Sequence, residues 1–160
     1  MTIYNLKRTQ ILPLTLAEAW TFFSDPRNLA IITPEYMGFK ILYISGHGPM
    51  YPGQIIRYQV QGIRGITMHW VTEITHVNQP YYFVDEQRSG PYALWHHQHH
   101  FREVEGGIEM TDEVNYALPL GPLGTWAHAL FVKRSLSRIF DYRFKKLEAL
   151  FVNKSASAIV

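Results

Sequence analysis

The chain has 160 residues and a formal net charge of +2, from 15 Lys+Arg against 13 Asp+Glu, too small a surplus to argue for nucleic acid as a partner. Hydrophobic residues make up 47% and charged residues 18%, the composition of a globular domain rather than a disordered one. No cysteine is present, which excludes disulfides and thiolate chemistry, and no uninterrupted apolar run of about 20 residues exists to span a membrane.

Aromatic residues make up 14% of the chain and need burial in a core or around a cavity. Residues 1–8 lack the apolar stretch of a signal peptide, so a cytoplasmic location is expected.

Residues 3–12 read as a first strand, stopped by Pro13. Thr15-Leu16-Ala17-Glu18 matches a capping box, and Leu16, Ala19, Trp20 and Phe23 follow at helical spacing. Asp25-Pro26 opens a second short helix, which Thr33-Pro34 ends. Six β-rich runs then occupy residues 41–45, 54–61, 66–75, 81–87, 94–102 and 108–118. Glycine- and proline-bearing turns separate most of them, and the short connections predict sequential antiparallel hairpins. The Met50-Tyr51-Pro52-Gly53 segment is a turn near one end of this array.

Residues 125–151 predict one long helix. Val132, Leu136, Ile139, Phe140, Phe144, Leu147 and Phe151 form its apolar stripe, and Lys133, Arg134, Arg138, Arg143, Lys145 and Lys146 its basic, solvated face. The stripe needs a partner, because an isolated helix with that face exposed is marginal in water. A sheet that covers one long helix must curl around it, and the curl leaves room for a pocket. The expectation is a single α+β domain over residues 1–152, with a disordered tail over residues 153–160.

The chemistry concentrates in residues 83–101. Alternation along a strand puts Phe83, Asp85 and Gln87 on one face, and Trp95, His97, His99 and Phe101 on one face of the next strand. Polar groups on an inward face cost about 1–3 kcal/mol each unless paired, so Asp85 or Gln87 is expected to meet His97 or His99 across the hairpin. A third row carries Met110, Asp112, Val114, Tyr116 and Leu118, in which Asp112 and Tyr116 are cavity groups or Asp112 pairs with a histidine. Trp70 and Tyr58 lie on rows expected to face inward. Two histidines on one side do not make a metal site, and a third ligand from Asp85, His69 or Asp112 depends on geometry that sequence does not give. No metal and no cofactor is therefore expected, and neither Gly-x-Ser-x-Gly nor a nucleotide-binding glycine pattern occurs.

Phe83-x-Asp85-x-Gln87-x-x-Gly90-Pro91-Tyr92-x-x-Trp95-x-His97-x-His99-x-Phe101 resembles the signature of bacterial ligand-binding proteins of the START/Bet v 1-like (SRPBCC) superfamily. Met110-x-Asp112-x-Val114-x-Tyr116-x-Leu118-Pro119-x-Gly121 and Leu130-Phe131-Val132-x-Arg134 continue the likeness, which spans nearly the whole chain. It implies a helix-grip fold, a curved seven-stranded antiparallel sheet in the order β-α-α-β6-α around the terminal helix, with an internal cavity. Members of this kind are described as ligand-binding, polyketide-cyclase-like or cell-division-inhibitor-associated, so the resemblance implies neither a ligand nor a reaction.

The function expected first is binding of a small hydrophobic or amphipathic molecule as carrier or sensor. Tyr58, Trp70, Phe83, Asp85, Gln87, Trp95, His97, His99, Phe101, Asp112 and Tyr116 are the candidate ligand-binding residues. A cyclase-like alternative uses His97, His99 or Asp85 as general acid or base, with Tyr116 or Gln87 holding an enolate oxygen. A third alternative is transient contact of the basic terminal helix with a membrane surface or a protein, with residues 117–130 as an apolar gate.

Overall fold

In the computed structural model, residues 1–61, 65–119 and 121–152 are described. Strand β1 (Tyr4–Leu12) leads to helix α1 (Leu16–Phe23), two short 3-10 helices (Pro26–Ala30 and Glu35–Met37) and then strands β2 (Lys40–Ile44), β3 (Gln54–Gln61), β4 (Thr67–Asn78), β5 (Tyr82–Ser89), β6 (Leu94–Val104) and β7 (Gly107–Ala117). A terminal helical run follows, comprising α2 (Pro122–Ala127), a wide turn of π type (His128–Val132), α3 (Lys133–Leu147) and a second wide turn (Glu148–Val152). The seven strands form one antiparallel sheet in the order β1-β7-β6-β5-β4-β3-β2. This is the helix-grip order.

Local chemistry sets the boundaries. Thr15 Oγ1 accepts from the Glu18 amide at 3.3 Å and Glu18 Oε2 accepts from the Thr15 amide at 2.8 Å, so the capping box starts α1 as the sequence predicts. Asp25 accepts from the Arg27 amide at 2.9 Å, but the segment it opens is a single 3-10 turn. At the β6–β7 hairpin, Gly107 holds φ near 147°, and a Cβ there would overlap the Leu12 carbonyl oxygen. Only glycine lets that hairpin lie against the end of β1. Strand β4 runs three residues past the predicted limit of Thr75, because its pairing with β5 continues to Asn78↔Tyr82.

The terminal helix differs from the prediction in two ways. It is interrupted by the wide turn between α2 and α3, a form of insertion common at functional sites, and a second wide turn follows α3. Its inward stripe is Leu136, Phe140, Arg143 and Leu147, at steps of four, three and four residues, while Phe144 is turned outward and 38% exposed. The assignment of Arg143 to the solvated face is thus corrected. Its spacing places it on the buried side, where it has a carboxylate partner. The predicted tail over residues 153–160 lies outside the described residues.

The interior is divided into three apolar clusters. One joins Leu12, Trp20, Phe101, Ile108 and Leu147 near α1. A second joins Leu6, Trp95, Val114, Tyr116, Leu136 and Phe140 under α3. The third is Ile56, Tyr58 and Ile74 on β3 and β4. Phe83, Trp95, Phe140 and Tyr58, drawn from all three, face the space between them.

Candidate functional site

That space is a cavity of about 820 Å³ between the concave face of the sheet, α3 and the two 3-10 segments. Its lining is mostly apolar, the character of a site for a small organic ligand. Trp70 and Trp95 meet edge to face, with centroids 5.1 Å apart, and form part of one wall. The indole Nε1–H of Trp70 is buried and finds no acceptor among the described residues. Tyr58 hydrogen-bonds Thr72, yet burial first and the Asp85 charge second push its phenol far above the usual range, so it stays neutral.

The polar part of the lining comes from three adjacent strands. Register pairs Asp85 on β5 with His97 on β6, and His99 on β6 with Asp112 on β7. Each imidazole also reaches its diagonal neighbour, as cross-strand side chains can. His97 Nε2 lies 2.9 Å from Asp112 Oδ1 and its Nδ1 lies 3.4 Å from Asp85 Oδ2. His99 Nε2 lies 2.9 Å from Asp85 Oδ2 and its Nδ1 lies 2.9 Å from Asp112 Oδ1. Two carboxylates and two imidazoles thus close a ring. From α3, Arg143 Nη1 donates to Asp112 Oδ2 at 3.2 Å. The rings of His97 and His99 are 3.8 Å apart, and His99 stacks on Phe83 at 4.1 Å.

The electrostatics follow from burial and charge balance. For Asp112, burial raises the carboxyl pKa, but the Arg143 charge and the two histidine hydrogen bonds outweigh it and hold the group well below its ordinary value. Asp85 is shifted down by the same contest between burial and the histidine and Arg143 charges. Burial and the neighbouring His99 push His97 down. For His99, burial lowers the value, but hydrogen bonds to Asp112 and Asp85 prevail and raise it.

Among the candidate residues, Tyr58, Trp70, Phe83, Asp85, Trp95, His97 and His99 line the cavity. Four sit elsewhere. Gln87 latches the β5–β6 turn, donating from Nε2 to the Tyr92 carbonyl at 2.7 Å and accepting from the Tyr92 amide at 3.2 Å. Phe101 packs into the core against Phe23 and Trp20. Tyr116 packs against Trp95 and Tyr92, and Asp112 sits behind the histidines with 1% exposure. The sequence reading missed Arg143, whose signal was its spacing from Leu136, Phe140 and Leu147. The same cluster is where an ion could be held, since ligand atoms of Asp85, His97 and His99 all lie within 4.8 Å of one another.

No protein-family profile matches the sequence, and no curated protein does. Solved structures do match. The di-domain ARO/CYC StfQ from the steffimycin biosynthetic pathway aligns with 96% of this chain and 52% of its own at a TM-score of 0.71 and 11% identity. TTHA0849 from Thermus thermophilus aligns over 91% of this chain and 95% of its own, with a TM-score of 0.69 and 14% identity. Ara h 8.0201 aligns over 95% and 99%, with a TM-score of 0.64 and 14% identity. At these identities the likeness establishes the fold alone. The chain has the helix-grip fold, a seven-stranded antiparallel sheet with a long C-terminal helix.

Proposed function

We propose that the protein binds a small, largely apolar organic molecule carrying at least one hydrogen-bond acceptor. The observation that carries this reading is the mostly apolar 820 Å³ cavity, whose wall includes Trp70 with a buried indole N–H that has no acceptor among the described residues. A buried donor without a partner costs about 1–3 kcal/mol, and a small turn of the indole toward an acceptor on a bound ligand would recover that. Asp85, His97 and His99 are in contact with one another, at 2.9 and 3.4 Å, rather than standing singly over the cavity as a general base would. That favours binding over cyclase-like proton abstraction. Native mass spectrometry of gently purified protein tests the reading: a bound organic mass released on denaturation supports it. Failure of a broad panel of acyl and ring-bearing compounds to quench Trp fluorescence or raise the melting temperature overturns it.

A second reading concerns how such a ligand arrives. Leu123 and Trp126 are each 71% exposed, Leu130 and Phe131 each 59%, and exposed Lys133 and Arg134 follow directly. Leu123 also lines the cavity, so the apolar patch adjoins its mouth. Apolar side chains beside cations suit an anionic lipid surface. Co-sedimentation with phosphatidylserine-containing vesicles, lost in Trp126→Ala with Phe131→Ala, is the expected result; binding unaffected by that pair removes this reading. Among the described residues no helix is long and apolar enough to cross a membrane.

A further inference from the structure

We propose that Asp85, His97 and His99 form a facial site for one divalent first-row transition-metal ion, opening on the cavity. The inference goes beyond binding of an organic ligand and does not depend on which molecule the cavity holds.

The geometry around Asp112 carries the argument. Its Oδ1 lies 2.9 Å from His97 Nε2 and 2.9 Å from His99 Nδ1. Both contacts are satisfied when those two nitrogens carry the hydrogens. The remaining nitrogens, His97 Nδ1 and His99 Nε2, then present lone pairs toward Asp85 Oδ2, at 3.4 and 2.9 Å. Two lone pairs and a carboxylate oxygen converging in a buried place need a positive centre among them, and a divalent ion supplies it where a proton on His99 Nε2 otherwise would. An ion about 2.0–2.2 Å from each ligand would space neighbouring ligand atoms by about 3.0 Å in octahedral and 3.4 Å in tetrahedral geometry. The observed separations from Asp85 are of that size.

The surroundings have the form metal sites use. A histidine ligand almost always donates its second nitrogen to a carboxylate or carbonyl, which fixes ring and tautomer. Here one carboxylate serves both rings and is itself anchored by Arg143 at 3.2 Å. Phe83 stacks on His99 at 4.1 Å and limits rotation of that ring. All three proposed ligands line the cavity, so positions not taken by protein would face it. Two imidazoles and one carboxylate suit iron(II), zinc or manganese(II) rather than calcium or magnesium, which prefer oxygen ligands. The organic class that fits beside such an ion bears a carbonyl, carboxylate or hydroxyl oxygen able to complete its coordination.

The test uses the full chain, free of any affinity tag and stripped with EDTA, titrated with Zn²⁺ by calorimetry and with Co²⁺ by visible absorption. One ion per chain is expected, with ligand-field bands on Co²⁺ addition. His97→Ala and His99→Ala should each weaken affinity by at least about 100-fold, and Asp112→Asn by about 10–100-fold with stoichiometry kept. The outward pair His96→Ala with His100→Ala should leave affinity unchanged. Circular dichroism separates loss of fold from loss of ligands, and the wild-type titration decides even where a variant does not fold. Wild-type binding no tighter than that of the His97→Ala/His99→Ala double variant, or binding lost with the outward pair, overturns the site. Organic-ligand binding is read by fluorescence and mass, so either proposal can fail alone.

Discussion

Arg143 and Asp112 are 31 residues apart in sequence and joined in the interior by a 3.2 Å hydrogen bond from guanidinium to carboxylate. Asp112 is 1% exposed and Arg143 8% exposed. Through this bond α3 is tied to strand β7 by charge as well as by apolar packing, and Arg143 also lies over the Phe140 ring at 4.9 Å. Asp112 in turn touches both histidines, so the helix, three strands and the cavity wall share one electrostatic unit.

Removing one member should therefore cost more than removing two. Arg143→Met keeps volume but leaves the Asp112 carboxylate buried without its cation, and breaking a buried pair in this way costs about 3–5 kcal/mol. In a chain of this size that is a fall in melting temperature of roughly 10 °C. Combining it with Asp112→Asn should restore part of the loss. Urea midpoints of the two single variants and the double variant check the coupling, and strictly additive losses would contradict the shared unit.

The same cluster sets the pH dependence of stability in EDTA-treated protein. Asp85 and Asp112 have folded values below their unfolded value of about 3.9, so their contribution is present above that pH and lost as acid titrates the folded groups. His99 is raised, so its contribution is complete below about 6.5 and lost as pH climbs through its folded value. His97 is lowered, so acidification below about 6.5 favours the unfolded chain at that site. The histidines oppose each other near neutrality, while below about pH 4 the carboxylates dominate and stability falls. Urea midpoints measured against pH should show this acid limb, flattened in Asp112→Asn.

The fold was legible because its signals are local. The Thr15–Glu18 capping box, the alternating rows on β5 and β6, and the turn residues between strands each act over a few positions, and short connections leave little choice of topology. The pairing of Asp85 with His97 follows from the same hairpin logic. What sequence left open is the third strand, where pairing of Asp112 with a histidine is one of two readings, and what it did not show is the helix. Asp112 meets both histidines only through the β6–β7 register, and Arg143 looks like one more lysine-or-arginine position until the Leu136, Phe140, Leu147 spacing is set against it. Gln87 failed as a cavity group for a related reason: strand alternation gives a face, but the nearby turn offered its amide a closer backbone partner.

Gln87 consequently makes a control. Gln87→Ala removes two hydrogen bonds that fasten Tyr92 across the turn, at 2.7 and 3.2 Å, and should cost about 1–2 kcal/mol of stability. Ligand affinity should stay within about twofold of wild type, because the side chain does not reach the cavity. A large loss of affinity with an unchanged melting temperature would instead place Gln87 in contact with ligand.

Trp70 should behave in the opposite way. Trp70→Phe deletes the indole N–H that has no acceptor among the described residues while keeping an aromatic ring against Trp95 and Tyr92. In the free protein nothing is lost from a hydrogen bond, so the melting temperature should be unchanged or slightly higher, the smaller ring offsetting part of the gain. In the complex the donor to the ligand is gone, and a neutral hydrogen bond of about 1 kcal/mol predicts roughly fivefold weaker binding of acceptor-bearing ligands. Analogues of the same shape without an acceptor should bind both forms alike. Affinities of matched ligand pairs for the two proteins measure this, and equal losses for both members of a pair would assign Trp70 to packing alone.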